Sequence, residues 1–412
     1  METKPDNLKI FQWLFAAAIL LLGVYISWGG KTKWIIIGNA VHALPLISLL
    51  LPWKKLRLTM LWFGVFLILQ DGYTLYTNKA ELYKTLPPGM HDRLNISGNI
   101  LRGIAGLQEI TTDGKGYRVT KEIDYSADEP YRIFAIGAST TEQIYLDDRE
   151  TWTHLLQEEL GGNVEIINTG VSGLRAEHHL ATLQHILPYH PDMALFLIGV
   201  NDWNKHVREH FGSRHYQRNK FRHSLTVVAI RDAIANMRQS AKKAAGQLPD
   251  KDAVREENGD YYIGKMGSLN KERVENWQPS EVHDSYKKTL AKIAAACRKG
   301  KITCVFLSQP HGYAENLPKD YTDHYWMTPN GEKFTLDLPS LIHVAELYND
   351  YLKDFACENG FPFIDLAARI PPGFESFYDD VHFNESGARA VAAALAPALG
   401  KIRKDPALSA CE

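Results

Sequence analysis

Residues 131–141 read YRIFAIGASTT. Tyr131 to Ile136 is apolar apart from Arg132 and rich in aromatic and β-branched side chains, the composition of a strand buried on both faces. Gly137, Ala138 and Ser139 then break the run with a small-residue turn. In an open α/β sheet, ligands collect at the carboxyl ends of the strands. The hydroxyl of Ser139 is therefore placed where it can meet a substrate, although a serine in such a turn can equally cap the next helix.

Outward from this strand the same rhythm repeats. Residues 152–160 are expected to be helical, 164–167 a strand, 177–187 a helix and 193–198 a strand; later come a helix at 285–297, a strand at 302–307, a helix at 341–357, a strand at 361–366 and a helix at 385–399. Five strands alternating with helices predict an α/β fold, a three-layer α/β/α (flavodoxin-like) arrangement around a parallel five-stranded sheet. The tract at about 205–279 interrupts the alternation and reads as an insertion beside the site, and 401–412 as a tail.

Three further segments fall at strand ends. Asn168-Thr169-Gly170-Val171-Ser172-Gly173 follows the second strand, and a backbone N–H at Gly173 could approach a reacting carbonyl oxygen. Ile198-Gly199-Val200-Asn201-Asp202 follows the third, with an Asn201 amide able to donate to an oxyanion. Asp379-Asp380-Val381-His382 precedes the last helix; a carboxylate three residues before an imidazole can hold one ring nitrogen while the other faces a serine. Each alone is compatible with an ordinary turn. All four in order, at one end of one sheet, point to acyl chemistry.

With these blocks the chain resembles the SGNH hydrolases, the GDSL-like esterase superfamily, over Tyr131 to Leu399. The resemblance implies Ser139 as nucleophile, Asp379 and His382 as its triad partners, and an oxyanion hole formed by Ser139, Gly173 and Asn201. Gly-Ala-Ser-Thr stands where the naming motif has Gly-Asp-Ser-Leu. The lead-in Ile110–Arg118 (ITTDGKGYR) is similar to a segment of membrane-tethered bacterial members associated with surface polysaccharides. That implies a serine esterase removing O-acyl, such as O-acetyl, groups from an envelope or exported carbohydrate. The alternatives are an O-acyltransferase working with a membrane partner and a catalytically silent glycan-binding or envelope-assembly protein. Asp202 and the loop residues His311 and Tyr313 are candidate substrate contacts.

The rest of the chain bounds these readings. Residues 11–28 and 34–53 carry no charge, and 58–76 is apolar until Gln70 and Asp71; each is long enough to cross a ~30 Å hydrocarbon layer as a helix. A cleaved leader would explain only the first. Residues 1–76 therefore read as a three-helix anchor in a bacterial inner (cytoplasmic) membrane. Lys4, Lys9, Lys54, Lys55 and Arg57 face Lys31, Lys33, Lys79 and Lys84, five against four, which favours an extracytoplasmic (periplasmic) catalytic domain. Residues 77–130, polar with Pro87, Pro88 and several glycines, read as a linker and lead-in.

Among 412 residues, 46 Lys and Arg balance 48 Asp and Glu, so no global field attracts a polyanion and nucleic acid is not an expected partner. The basic tract Lys205 to His223 could touch an acidic glycan or lipid headgroups, or be a solvated surface. Its histidines and the pair His178-His179 lack a cysteine or carboxylate set at ligand spacing, so no metal or other cofactor is expected. Of the four cysteines, Cys297 and Cys357 are near helix ends and are candidates for one bridge.

Overall fold

The computed structural model describes residues 62–66, 69, 82–97, 101–127, 129–212, 253–257, 273–325, 332 and 334–405. The chain divides into two units, Met1–Glu81 with Phe211–Pro249, and Leu82–His210 with Asp250–Glu412. The second unit contains the sheet and every candidate site residue.

Its centre is a parallel sheet of β3 (Tyr131–Gly137), β4 (Val164–Asn168), β5 (Met193–Leu197), β8 (Thr303–Leu307) and β10 (Phe363–Ile364), in the order β10-β8-β5-β3-β4. β4 and β5 are buried at every position, as befits strands covered on both faces. The strands all run the same way, but the order of connection switches sides at β3: its own connection leads outward to β4, while the following strand, β5, lies on its other side, which is where a crevice opens at the carboxyl ends. Ser139 follows β3 and Asn201 follows β5.

Right-handed crossovers decide which helix covers which face. The connection from β3 to β4 carries α2 (Trp152–Leu160), which packs against the last helix, α8 (Glu385–Lys404). The connections moving the other way carry α3 (Ala176–Ile186), α5 (Asp284–Gly300) and α7 (Leu338–Glu358), and α3 packs on α5. Side-chain caps fix the starts: Thr151 accepts the His154 N–H ahead of α2, Asp337 that of Ser340 ahead of α7, and Asn384 that of Gly387 ahead of α8. Phe134, Phe196 and Phe306 fill the interior without solvent contact.

Three expectations are corrected. Residues 82–127 are not a linker: β1 (His91–Ile96) and β2 (Gly106–Thr111) form an antiparallel pair with Leu94, Ile96, Leu101, Ile104 and Ile110 buried. The insertion does not run unbroken to 279 either. Residues 205–210 belong to α4 (Val200–His210), and β6 (Val254–Glu257) returns to pair with β1. A further parallel pair joins β7 (Arg273–Glu275) to β9 (Phe334–Leu336). Lastly, Cys297 is bonded to Cys304, not Cys357; the turn from α5 into β8 brings the two Cα atoms to 6.2 Å.

Of the three expected spans, only 62–66 and 69 fall among the described residues; these are helical, and Trp62, Phe63, Phe66 and Leu69 are exposed at i, i+1, i+4 and i+7 spacing. No helix among the described residues is long and apolar enough to cross a membrane. The basic tract beyond 212 lies outside the described residues.

Candidate active site

Ser139 opens α1 (Ser139–Glu142), a single turn of helix set directly on the end of β3. Two glycines permit this close stacking. A Cβ on Gly137 would lie 2.0 Å from Thr141 Oγ1 and 2.8 Å from Leu197 O, and one on Gly170 2.3 Å from the Glu142 nitrogen. Hence α1 is pinned between β5 and the loop after β4. As the first residue of a helix, Ser139 has an N–H with no intrahelical acceptor.

The imidazole arrives from the far end of the chain. His382 Nε2 lies 2.7 Å from Ser139 Oγ, and its Nδ1 lies 2.7 Å from Asp379 Oδ2. Asp379 is fully buried, and its Oδ1 accepts the N–H groups of Val381 at 2.9 Å and His382 at 2.7 Å. The three-residue spacing thus closes a small ring in which the carboxylate orients both the backbone and the ring. Burial pulls the His382 imidazole down, but the carboxylates of Asp379, Asp380 and Glu142 outweigh it and hold its pKa above the usual 6.5. Tyr378 stacks on the ring at 5.6 Å, and Tyr321 donates its hydroxyl to the Asp379 carbonyl at 2.8 Å.

The expected oxyanion donors gather on the same rim. Gly173 has φ +78°, a backbone conformation that glycine adopts without strain. Asn201 donates one amide hydrogen to the Leu174 carbonyl at 2.9 Å, tying itself to the Gly173 loop and leaving its second hydrogen for another acceptor. Ser139 and Asn201 are half-buried and Gly173 is exposed, so solvent reaches this place.

Two expected substrate contacts are corrected. Asp202 is buried and accepts the Ala176 N–H at 3.0 Å, capping α3; burial and the nearby Glu177 push its carboxyl up to about 7. With Asn201 it clamps the loop that carries Gly173. Tyr313 is also buried, and its hydroxyl donates to Asp380 Oδ2 at 2.6 Å. His311 stacks on Tyr313 with ring centroids 5.3 Å apart, and burial pushes its imidazole down to about 4, which keeps it neutral.

Glu142 escaped the sequence reading. Its carboxylate accepts the Ser172 N–H, so the loop after β4 hangs from the same short helix that Ser139 opens. Burial raises its pKa. A carboxylate three residues after a candidate nucleophile was a signal available in the sequence. Among the described residues no group of three or more His, Cys, Asp or Glu side chains could hold a metal ion.

A hydroxyl, an imidazole and a buried carboxylate in relay, at the carboxyl edge of a flavodoxin-like sheet, have the makings of a serine-type ester hydrolase. A model of the GDSL-like Lipase/Acylhydrolase family matches residues 135–390, and the chain belongs to that family, whose members cleave ester bonds. No curated protein sequence matches it. Solved structures similar to it include the aryl esterase of M. smegmatis, 15% identical over 66% of this chain and 99% of that one with a TM-score of 0.36. A carbohydrate acetylesterase family member from Sinorhizobium meliloti is 16% identical over 66% and 99%, TM-score 0.34. A GDSL-like lipase from Bacteroides thetaiotaomicron is 13% identical over 67% and 93%, TM-score 0.33.

Proposed function

We propose that the chain is a serine esterase in which Ser139, His382 and Asp379 form the triad and Ser139, Gly173 and Asn201 the oxyanion hole. The reading is carried by one observation: two successive 2.7 Å contacts, Ser139 to His382 and His382 to Asp379. His382 Nε2 takes the Ser139 proton while Oγ forms a bond to the ester carbonyl carbon, whose π electrons pass to oxygen. The N–H groups of Ser139 and Gly173 and the free amide hydrogen of Asn201 stabilise that oxyanion. Collapse expels the alkoxide, which leaves with the proton from His382, and water then releases the acyl group by the same route. Asn201→Ala is expected to lower kcat by about 10²- to 10³-fold, with KM little changed, in p-nitrophenyl acetate turnover.

The substrate we propose is an O-acylated, in particular O-acetylated, carbohydrate of the cell envelope or one being exported, with His311 as a contact at the rim. The ITTDGKGYR lead-in supports it by its similarity to that of polysaccharide-associated members. A membrane-anchored, extracytoplasmic placement fits the uncharged runs before residue 77, the outward apolar stripe Trp62, Phe63, Phe66 and Leu69, and the Cys297–Cys304 disulfide, a bond that persists in oxidising compartments. The test is acyl release from isolated envelope fractions by the full chain and by Ser139→Ala, with and without an acceptor glycan. Free acetate released only by the parental protein supports the esterase. Acyl groups recovered on the acceptor would assign transfer instead, and no acyl release from any envelope fraction would overturn the carbohydrate substrate.

A further inference from the structure

A one-turn helix has little stability of its own. α1 has four carbonyls, and side chains or backbone outside it must take up what the helix leaves unpaired. The Ser139 carbonyl accepts the Gln143 N–H, Thr140 the Trp152 indole N–H at 3.1 Å, and Thr141 the Asn168 amide at 2.6 Å. Trp152 and Asn168 lie inside the stretch that defines the family. The last carbonyl is taken by a residue that does not.

That residue is Arg118. Its Nη1 donates to the carbonyls of Glu142 at 2.5 Å and Gln143 at 2.6 Å, its Nη2 to that of Leu146, and its Nε to Asp148 Oδ1 at 2.6 Å. Gln143 sits at φ +53°, where the chain leaves α1 through a left-handed turn. One guanidinium therefore grips the exit of α1 and both ends of the loop beyond it. It is 3% exposed. Its backbone is fixed in turn, because the Arg118 N–H donates to the Asn168 carbonyl at 2.9 Å, and Thr111 of β2 donates its N–H and hydroxyl to the other oxygen of Asp148.

We propose that Arg118 is a positioning residue for the reaction: by holding the carboxyl end of α1 it sets the direction of Ser139 at the other end of the same turn. The lead-in segment that carries Arg118 is then part of the active-site machinery, although it precedes the family domain. A four-residue helix is too short to absorb a shift at one end without moving the other. Glu142, whose carbonyl Arg118 grips, also carries the Ser172 N–H, so release of Arg118 loosens the oxyanion loop as well. Lysine cannot reproduce the grip, since an ammonium lacks the planar fork that reaches several acceptors at once.

The inference rests on Ser139 being the nucleophile, and the test separates the two. Full-length chain in detergent is compared as parental, Ser139→Ala, Arg118→Ala and Arg118→Lys proteins, with fluorophosphonate labelling rate and p-nitrophenyl acetate kinetics expressed per folded molecule. Misplacement of a reacting group by ~1 Å costs on the order of 10²-fold, so Arg118→Ala is expected to lower both the labelling rate and kcat by about that factor with KM within about twofold. Arg118→Lys should fall between, and added guanidinium at millimolar concentration should restore part of the alanine variant's rate. A folded alanine variant labelled at the parental rate, or a loss that only follows the unfolded fraction, would overturn the proposal. Should the alanine variant not fold, parental labelling of Arg118→Lys overturns it. Ester turnover surviving in Ser139→Ala would instead remove the reading on which it rests.

Discussion

Ser139→Ala is expected to abolish ester turnover almost completely, by on the order of 10⁶-fold in kcat, the scale on which a serine nucleophile acts together with its base. The hydroxyl is half-buried at the start of α1, and its contact in the resting protein is with His382. Its removal leaves β3, the Gly137 turn and the caps of α1 in place, so the melting temperature should be nearly unchanged. Hydrolysis of p-nitrophenyl acetate by purified parental and variant proteins measures this. A variant that keeps more than about one hundredth of the parental kcat would show that another group attacks the ester.

The second large effect belongs to Asp379. An asparagine there is expected to lower kcat by roughly 10⁴-fold, because its amide hydrogens cannot accept the ring N–H and the imidazole is left in the wrong tautomer. Asp379 Oδ1 holds the peptide N–H groups of Val381 and His382 while Oδ2 faces the ring, so an asparagine that keeps its oxygen on the backbone turns its NH2 toward the imidazole. The pH dependence should move in a defined direction. Carboxylates beside His382 favour its protonated form and raise its pKa, so the parental kcat/KM falls as pH drops through a value above 6.5. Without the Asp379 charge that acid limb should shift to lower pH. A variant within tenfold of the parental rate, or one whose acid limb does not move downward, would contradict the assigned role.

The catalytic sheet was legible because its signals are local. β5 is apolar throughout and β3 and β4 are interrupted within their runs only by Arg132 and Glu165, and each ends in a small or amide-bearing segment that fixes where the crevice lies. Helix boundaries differed by a few residues where caps decide them: α7 begins at Leu338 rather than 341, since Asp337 accepts the Ser340 N–H and Pro339 suits a first turn. The lead-in reads as a linker in the sequence for a physical reason. Its apolar residues, Leu94, Ile96 and Ile110 among them, are spread thinly over two six-residue strands, too sparse to stand out from a loop. Pairings between distant segments were the least legible. Asp202 is next to Asn201 in sequence and reads there as a substrate contact, yet its carboxylate turns inward to cap α3. Nothing in Cys297 itself says that it meets Cys304 seven residues on and not Cys357.

The most direct test of the account is to locate a covalent adduct. Full-length protein is treated with a fluorophosphonate, digested and mapped by mass spectrometry, beside His382→Ala under the same conditions. One modified peptide is expected, with the phosphonyl group on Ser139, and little or no adduct when His382 is gone. Efficient labelling at a different serine, or undiminished labelling of Ser139 without His382, would contradict it.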